Sequence, residues 1–369
     1  MIYVPIVKNR QHEMQVLKDL NQYFSSDIIP LIEIIKDEYE EQYAMDSSTG
    51  KYLYEVKPGN KIKTRVKLPK DDKYIITLSE INKTISSKKA FIDYFRFIED
   101  EYPKVKIDLE SVKLSLRLRA DRSFYKEKLK EVLAYNNFIP VISIKSNFLY
   151  SNQEFSDLID MFQARNSAMA IRITADLFDK YKDIIKLKLR KMDYLLFDIR
   201  EQRVDSRFLE LTEIQELELD NNTILLNSPR KKEIRNNQYE EKDYTILIDN
   251  SALVKYKLYN LKGVGDFGGL KDTLPENQAG GNGKGAALAL LFVHNKNQFL
   301  SLMNKDTNLG TGGYIAIKKE IARLETILDP KGKCPGIKKI KSINKGSWGT
   351  WNYITLARYI YQIYELQNI

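Results

Sequence analysis

The residues best able to do chemistry are charged side chains set inside apolar runs. Glu33 interrupts Pro30-Leu31-Ile32 and Ile34-Ile35, Arg172 stands between Ile171 and Ile173, and Asp198 follows Leu195-Leu196-Phe197. A charge buried in such a run costs several kcal/mol unless it is paired, coordinated or solvated in a cavity. Lys8, Asp108, Glu110, Ser143, Lys145, Arg200, Asn227, Ser228 and Asp266 stand in the same way at the ends of short apolar runs. Two readings follow. In the first, Glu33, Asp108, Asp198 and Asp266 hold a hard divalent cation, Mg²⁺ or Mn²⁺, while Lys8, Arg172 and Lys145 receive an anionic group. Lys8, Glu33, Asp108, Arg172, Asp198 and Asp266 would then carry metal-assisted phosphoester hydrolysis. In the second, the same acids and bases form a ligand-binding or purely structural ion network, with Lys145 and Arg200 as anion contacts.

Other chemistries are disfavoured by composition. His12 and His294 are the only histidines, which speaks against histidine-rich metal centres. The single cysteine, Cys334, leaves no internal disulfide framework and suits a reducing compartment. Gly283-Lys284-Gly285 resembles part of a phosphate-binding loop, but Gln278 stands where the first glycine should be and Gly285 where Ser or Thr should be. A lid over residues 279–285 is the expectation instead.

The net charge of +9 is unevenly placed. From Lys271 onward there are 14 Lys and Arg against 7 Asp and Glu, so +7 of the excess falls in the last quarter. Lys331 to Lys345 contains six lysines and no acid, and Trp348, Trp351 and Tyr353 follow. Lysines that neutralise phosphates beside aromatics that stack bases suit single-stranded nucleic acid. Lys338, Lys339, Lys341, Trp348 and Arg358 are the candidates, while Trp351 is expected to pack the final helix. A phosphorylated ligand is the other anionic partner this bias suits.

The elements that must position these residues alternate. Short β-branched runs at 2–8, 28–35, 105–110, 138–144, 169–174, 194–199, 223–227 and 263–268 are separated by helical stretches, the signature of βα units feeding a parallel sheet. Several runs are apolar throughout, as strands covered on both faces should be. The intervening helices carry apolar stripes, such as Met14, Leu17, Leu20 and Phe24. Eight such units predict a (β/α)8 TIM-like barrel over residues 1–270, with an open doubly wound sheet as the competing arrangement. Polar residues at the strand C-termini would then converge on one mouth.

Residues 36–75 break the rhythm and read as an inserted β-hairpin after the second strand, placed to meet a partner protein. Residues 271–369 read as a basic α+β extension packed on the barrel. It comprises a hairpin of 289–293 with 298–303, a helix over 314–328, a basic loop over 329–346 and a final helix over 351–366. The run at 244–249 also looks like a strand. No stretch reaches the ~18 apolar residues of a spanning helix, so a cytoplasmic protein without membrane contact is expected.

Tyr3-Val4-Pro5-Ile6-Val7-Lys8 with Glu13, followed by Pro30-Leu31-Ile32-Glu33-Ile34, resembles the beta protein family of phages and bacteria. Gly265-Asp266-Phe267 and Trp348-Gly349-Thr350-Trp351 with Arg358 are similar to that family's closing pattern. The resemblance implies a link to mobile elements and phage defence, without a general activity, and singles out Lys8, Glu13, Glu33, Asp266, Trp348 and Arg358. Ala357-Arg358-Tyr359 stands where the family pattern would place a histidine nearby.

Overall fold

The computed structural model describes residues 1–56, 59, 61–102, 107–165, 168–276, 286–344 and 346–367. In chain order the strands are β1 (Ile2–Lys8), β2 (Leu31–Ile34), β3 (Tyr54–Val56), β4 (Lys63–Arg65), β5 (Ala90–Tyr94), β6 (Phe138–Ile144), β7 (Ala170–Thr174), β8 (Tyr194–Asp198), β9 (Asn222–Leu226), β10 (Asp243–Thr245), β11 (Gly263–Asp266), β12 (Ala287–Val293) and β13 (Gln298–Asn304). Eight close into a barrel in the order β1-β11-β9-β8-β7-β6-β5-β2, and each neighbouring pair is parallel. The fold is an α/β barrel of the TIM type, with helices such as Gln11–Asp19, Asn152–Gln163 and Phe178–Lys188 between the strands.

Seven of the eight expected runs are barrel strands; the eighth is corrected. The third barrel strand is β5, which pairs Ile32 with Ile92 and Ala90 with Phe138. Of the run at 105–110, the described residues 107–110 are not part of a barrel strand: Ile107 forms an isolated bridge to Glu276, and Glu110–Val112 is a short 3-10 turn. Both stretches pair apolar residues with a carboxylate. Only Ala90–Tyr94 is preceded by a helix, Thr77–Thr84, that returns the chain to the start of the sheet.

The barrel closes where β11 meets β1, and the two glycines of β11 make this possible. A Cβ on Gly263 would lie 1.8 Å from the Ile2 carbonyl oxygen, and one on Gly265 would lie 2.6 Å from that of Val4. The glycine-rich composition that weakens β11 as a strand by propensity is what lets its backbone approach this closely.

Within the insertion, β3 and β4 pair antiparallel, Tyr54 with Arg65 and Val56 with Lys63. Further bridges, Met45–Tyr52, Tyr43–Lys67 and Tyr39–Ile75, extend the arm down to its base. The run at 244–249 contributes β10 to a separate antiparallel sheet ordered β10-β13-β12, outside the barrel.

In the extension, the helix expected over 314–328 is broken at Leu324 into Gly313–Arg323 and Glu325–Leu328. The basic loop expected over 329–346 is also corrected, because Pro335–Ser342 is a helix with proline in its first turn. Its buried Ile337 and Ile340 lie on one side, as a helical spacing of three dictates. It packs on the last helix, Trp348–Gln367, where Gly336 approaches the Ile354 carbonyl too closely for a side chain. The last helix also packs along the first: Gly349 abuts His12, and the Tyr353 hydroxyl donates to Asp19 at 2.7 Å. The lid expected at 279–285 lies outside the described residues.

Candidate functional site

Four strand ends deliver the buried charges that the sequence singles out. Lys8 ends β1, Glu33 lies in β2, Arg172 in β7 and Asp198 ends β8, and all four are almost fully buried. Lys8 Nζ lies 2.6 Å from Glu33 Oε2 and 2.6 Å from Asp272 Oδ1. The Arg172 guanidinium reaches Glu33 Oε1 at 2.6 Å, Asp93 Oδ2 at 2.9 Å and Asp198 Oδ2 at 2.8 Å. The remaining carboxylate oxygens are also met. Ser143 Oγ donates to Asp93 Oδ1 at 2.7 Å, and the Arg200 backbone N–H donates to Asp198 Oδ1 at 2.9 Å. The resulting network spans the barrel through charge-assisted hydrogen bonds, and Asp272 Oδ2 faces Lys232 at 3.7 Å and Arg200 at 4.0 Å.

The electrostatics follow from that pairing. Burial alone would lower the Lys8 ammonium, but Asp272 and Glu33 outweigh it and hold it above its ordinary value. Burial would raise Glu33 and Asp198, yet the cations Lys8, Arg172 and Arg200 bring both below the usual carboxylate range. Asp272 is lowered in the same way by Lys8, Lys232 and Arg200 against its burial.

A lid covers this network. Phe95, Phe97, Tyr102, Val112 and Leu274 pack with Ile35 into a small apolar cluster of their own. Tyr102 donates to Asp272 Oδ1 at 3.1 Å, and the rings of Phe95 and Phe267 lie 5.3 and 4.8 Å from Lys8 Nζ. At the margin, Arg200, Lys232 and Glu101 are each 23% exposed. Glu101, on the short turn Glu99–Glu101, ion-pairs with Arg200 and lies 3.4 Å from Lys145 Nζ. Lys232 Nζ donates to the Glu101 carbonyl at 3.0 Å and sits over the Tyr102 ring at 4.4 Å. Lys271 donates to the Lys232 carbonyl at 2.9 Å, and burial together with Arg230 lowers its ammonium to about 8.

Two of the expected metal ligands lie elsewhere. Asp108 is away from the strand ends: it is half-buried, its backbone N–H donates to Pro275 and its carboxylate accepts from Ser111 at 2.5 Å. Asp266 pairs in register with Pro5, which puts it on the strand face of Tyr3 and opposite to that of Lys8. It accepts from Tyr3 at 3.0 Å, from Tyr359 at 2.7 Å and from the Gly268 N–H at 2.8 Å. Burial raises its carboxyl above the usual range, while those three donors hold it down. Asp266 therefore fastens the last helix to the outside of the barrel. Glu33 and Asp198 do share a centre, but the Arg172 guanidinium occupies it. Among the described residues no group of three or more His, Cys, Asp or Glu side chains is arranged to hold a metal ion. The four carboxylates named for a shared metal thus do not gather at one point, and each central one faces an ammonium or a guanidinium.

The candidates of the extension are dispersed. Arg358 is buried and donates to the carbonyls of Phe292 at 2.9 Å and Leu328 at 2.8 Å, so it ties the extension together and meets no solvent-borne anion. Lys341 ion-pairs with Glu325, and Lys339 lies over the Tyr353 ring at 5.5 Å. Lys338 is exposed and Trp348 is 52% exposed, while Trp351 is buried against Tyr314. Glu13, named by the family resemblance, accepts from the Lys8 backbone N–H at 2.6 Å and pairs with Arg10, anchoring the first helix beside the mouth.

Asp93, Glu101, Lys232 and Asp272 belong to the site but were not among the sequence candidates. Asp93 carries the same signal as Glu33, a carboxylate inside Ala90-Phe91-Ile92 and Tyr94. Asp272 and Lys232 lie on irregular segments and carry no periodic signal.

A family model described as Beta protein matches residues 3–208, more than half of the chain and the stretch from β1 to just beyond β8. No curated protein and no solved structure matches.

Proposed function

The chain belongs to the Beta protein family, and on that premise we propose that it binds a small phosphate- or carboxylate-bearing ligand at the margin of its barrel mouth. One observation carries this reading. Lys145, Arg200, Lys232 and Lys271 gather on one side of the mouth, and the carboxylate facing the first two comes from a short lid turn, Glu101. Lys8 and Arg172, in contrast, are held by carboxylates of the barrel and of Asp272 at 2.6 to 2.9 Å, whereas Arg200 and Lys232 meet Asp272 only at 4.0 and 3.7 Å. A ligand anion would replace Glu101 between Arg200 and Lys145 and leave the central network untouched. Phosphate and carboxylate match the planar fork of Arg200.

The cellular setting we propose is a cytoplasmic, phage-related or antiviral-defence system. The family resemblance supports the setting. The lone buried thiol of Cys334 and the finding that, among the described residues, no helix is long and apolar enough to cross a membrane support the compartment.

The test is the thermal unfolding midpoint of the purified chain against inorganic phosphate and short single-stranded DNA, since a ligand preferring the native state raises it. Phosphate is expected to raise the midpoint, Arg200→Gln to abolish the shift and Glu101→Gln to enlarge it. A salt-sensitive DNA shift lost in Lys338→Glu and unchanged in Arg200→Gln would move the function to the extension. No shift with either probe would overturn the reading.

A second reading rests on the inserted arm. Met45, Tyr54, Val56, Ile62 and Leu68 are all exposed, Ile62 at 74%, on an arm that projects from the barrel. Apolar side chains gathered on a projecting hairpin support contact with a partner protein.

A further inference from the structure

Two lysines at the mouth are buried and differently held. Lys8 is clamped by two carboxylates at 2.6 Å each. Lys145, 4% exposed at the end of β6, has its nearest oxygens at 3.4 Å, Glu101 Oε2, and 3.5 Å, the Arg96 carbonyl, while the Phe95 ring lies 4.1 Å from its nitrogen. The geometry points to Lys145 as a reactive amine, placed beneath Glu101 to condense with the carbonyl group of a small anionic carbonyl compound. The neutral amine attacks the carbonyl carbon, the C–O bonds break in turn, and both amine hydrogens leave with the oxygen as water, giving an imine. The inference rests on the proposed anion site, because the ligand's charge would take the place of Glu101 against Arg200.

Electrostatics agree with the contacts. Burial lowers the Lys145 ammonium, Arg200 and Arg172 lower it further, and Glu101 and Glu33 oppose them; the outcome is about 8. A buried lysine beside other cations is the setting in which a neutral, nucleophilic amine exists near neutral pH. Displacing Glu101 would remove one of the groups that holds the proton on.

The experiment treats the full chain with glyoxylate and cyanoborohydride at pH 7.5 and quantifies each modified lysine by peptide mass spectrometry. Lys145 is expected to be trapped at least about tenfold faster than exposed Lys338, since only a neutral amine attacks a carbonyl. Glu101→Gln is expected to trap faster still, and the Lys145 adduct should vanish in Lys145→Arg. Trapping of Lys145 no faster than Lys338 in both the wild type and Glu101→Gln overturns the amine chemistry. If phosphate still raises the unfolding midpoint in that case, the anion site stands without it; if neither trapping nor the phosphate shift occurs, both fall.

Discussion

Arg172 reaches across the barrel to Glu33, 2.6 Å away, although their strands β7 and β2 are separated by β6 and β5. The same guanidinium holds Asp93 and Asp198, so one cation from one strand neutralises carboxylates of three others. The mouth is therefore fastened by charge beneath its apolar cover, and its fate under mutation and pH follows from that.

Removing the cation leaves three buried carboxylates facing one another. Arg172→Met is expected to cost about 3–5 kcal/mol, the usual penalty for stranding a buried charge. Adding Glu33→Gln and Asp93→Asn should recover part of the loss. Urea unfolding of the single and triple variants checks this; a single-variant loss below ~1 kcal/mol would mean the network is not holding the barrel.

The acid side of the stability profile has a fixed sign. Glu33, Asp198 and Asp272 titrate lower in the folded chain than in the unfolded one, where carboxylates sit near ~4. Their stabilisation is present above pH ~4 and lost as pH falls through their folded values, because the unfolded chain takes up protons first. Asp272→Asn should flatten the decline in unfolding free energy measured from pH 5 down to pH 2.5. Asp266 works the other way: its folded value is raised, so its contribution is present below pH ~4 and is lost as pH rises.

Lys145 gives a slope of the same sign as Glu33, Asp198 and Asp272, and opposite to Asp266, on the alkaline side. With its ammonium at about 8 in the folded chain and ~10.4 in the unfolded one, the unfolded chain binds more protons between those values, so this residue adds stability as pH rises. The slope approaches ~1.4 kcal/mol per pH unit within the window. Comparing wild type with Lys145→Met from pH 8 to pH 10 isolates it, and parallel curves would show that the folded amine titrates normally.

Closure at β11 admits no side chain. Gly263→Ala puts a methyl against the Ile2 carbonyl, so the strand must move and the β1–β11 pairing with it. A loss of at least about 1–3 kcal/mol is expected from overpacking, measured by denaturant unfolding. Gly59→Ser, in the arm with open space around it, should cost far less, the penalty being confined to its left-handed backbone.

The arm is separable from barrel stability. Tyr54→Ser with Ile62→Ser should change unfolding free energy by no more than ~0.5 kcal/mol, since both side chains are exposed. The same pair should weaken any partner contact seen by pull-down with the intact chain; a large stability loss would show that the arm packs on the barrel.

What the sequence by itself determined is whatever short-range pattern encodes. Apolar β-branched runs between amphipathic helices specify parallel strands covered on both faces, and seven of the eight barrel strands were legible on that ground. Charges interrupting such runs marked Lys8, Glu33, Arg172 and Asp198, since no buried charge stands without a partner. Pattern alone could not separate Ala90–Tyr94 from residues 105–110, because a strand of this length is defined by its neighbours across the sheet, here Ile32 and Phe138. Nor could it say which way Asp266 faces, because one step of strand register sends a side chain into the mouth or out toward Tyr359. The tertiary structure alone decided that Arg172 fills the space between the carboxylates, that Asp272 and Glu101 close over them, and that Lys8 and Lys145 differ. These depend on distances between residues of different strands and loops, up to 264 positions apart for Lys8 and Asp272, which local sequence does not encode.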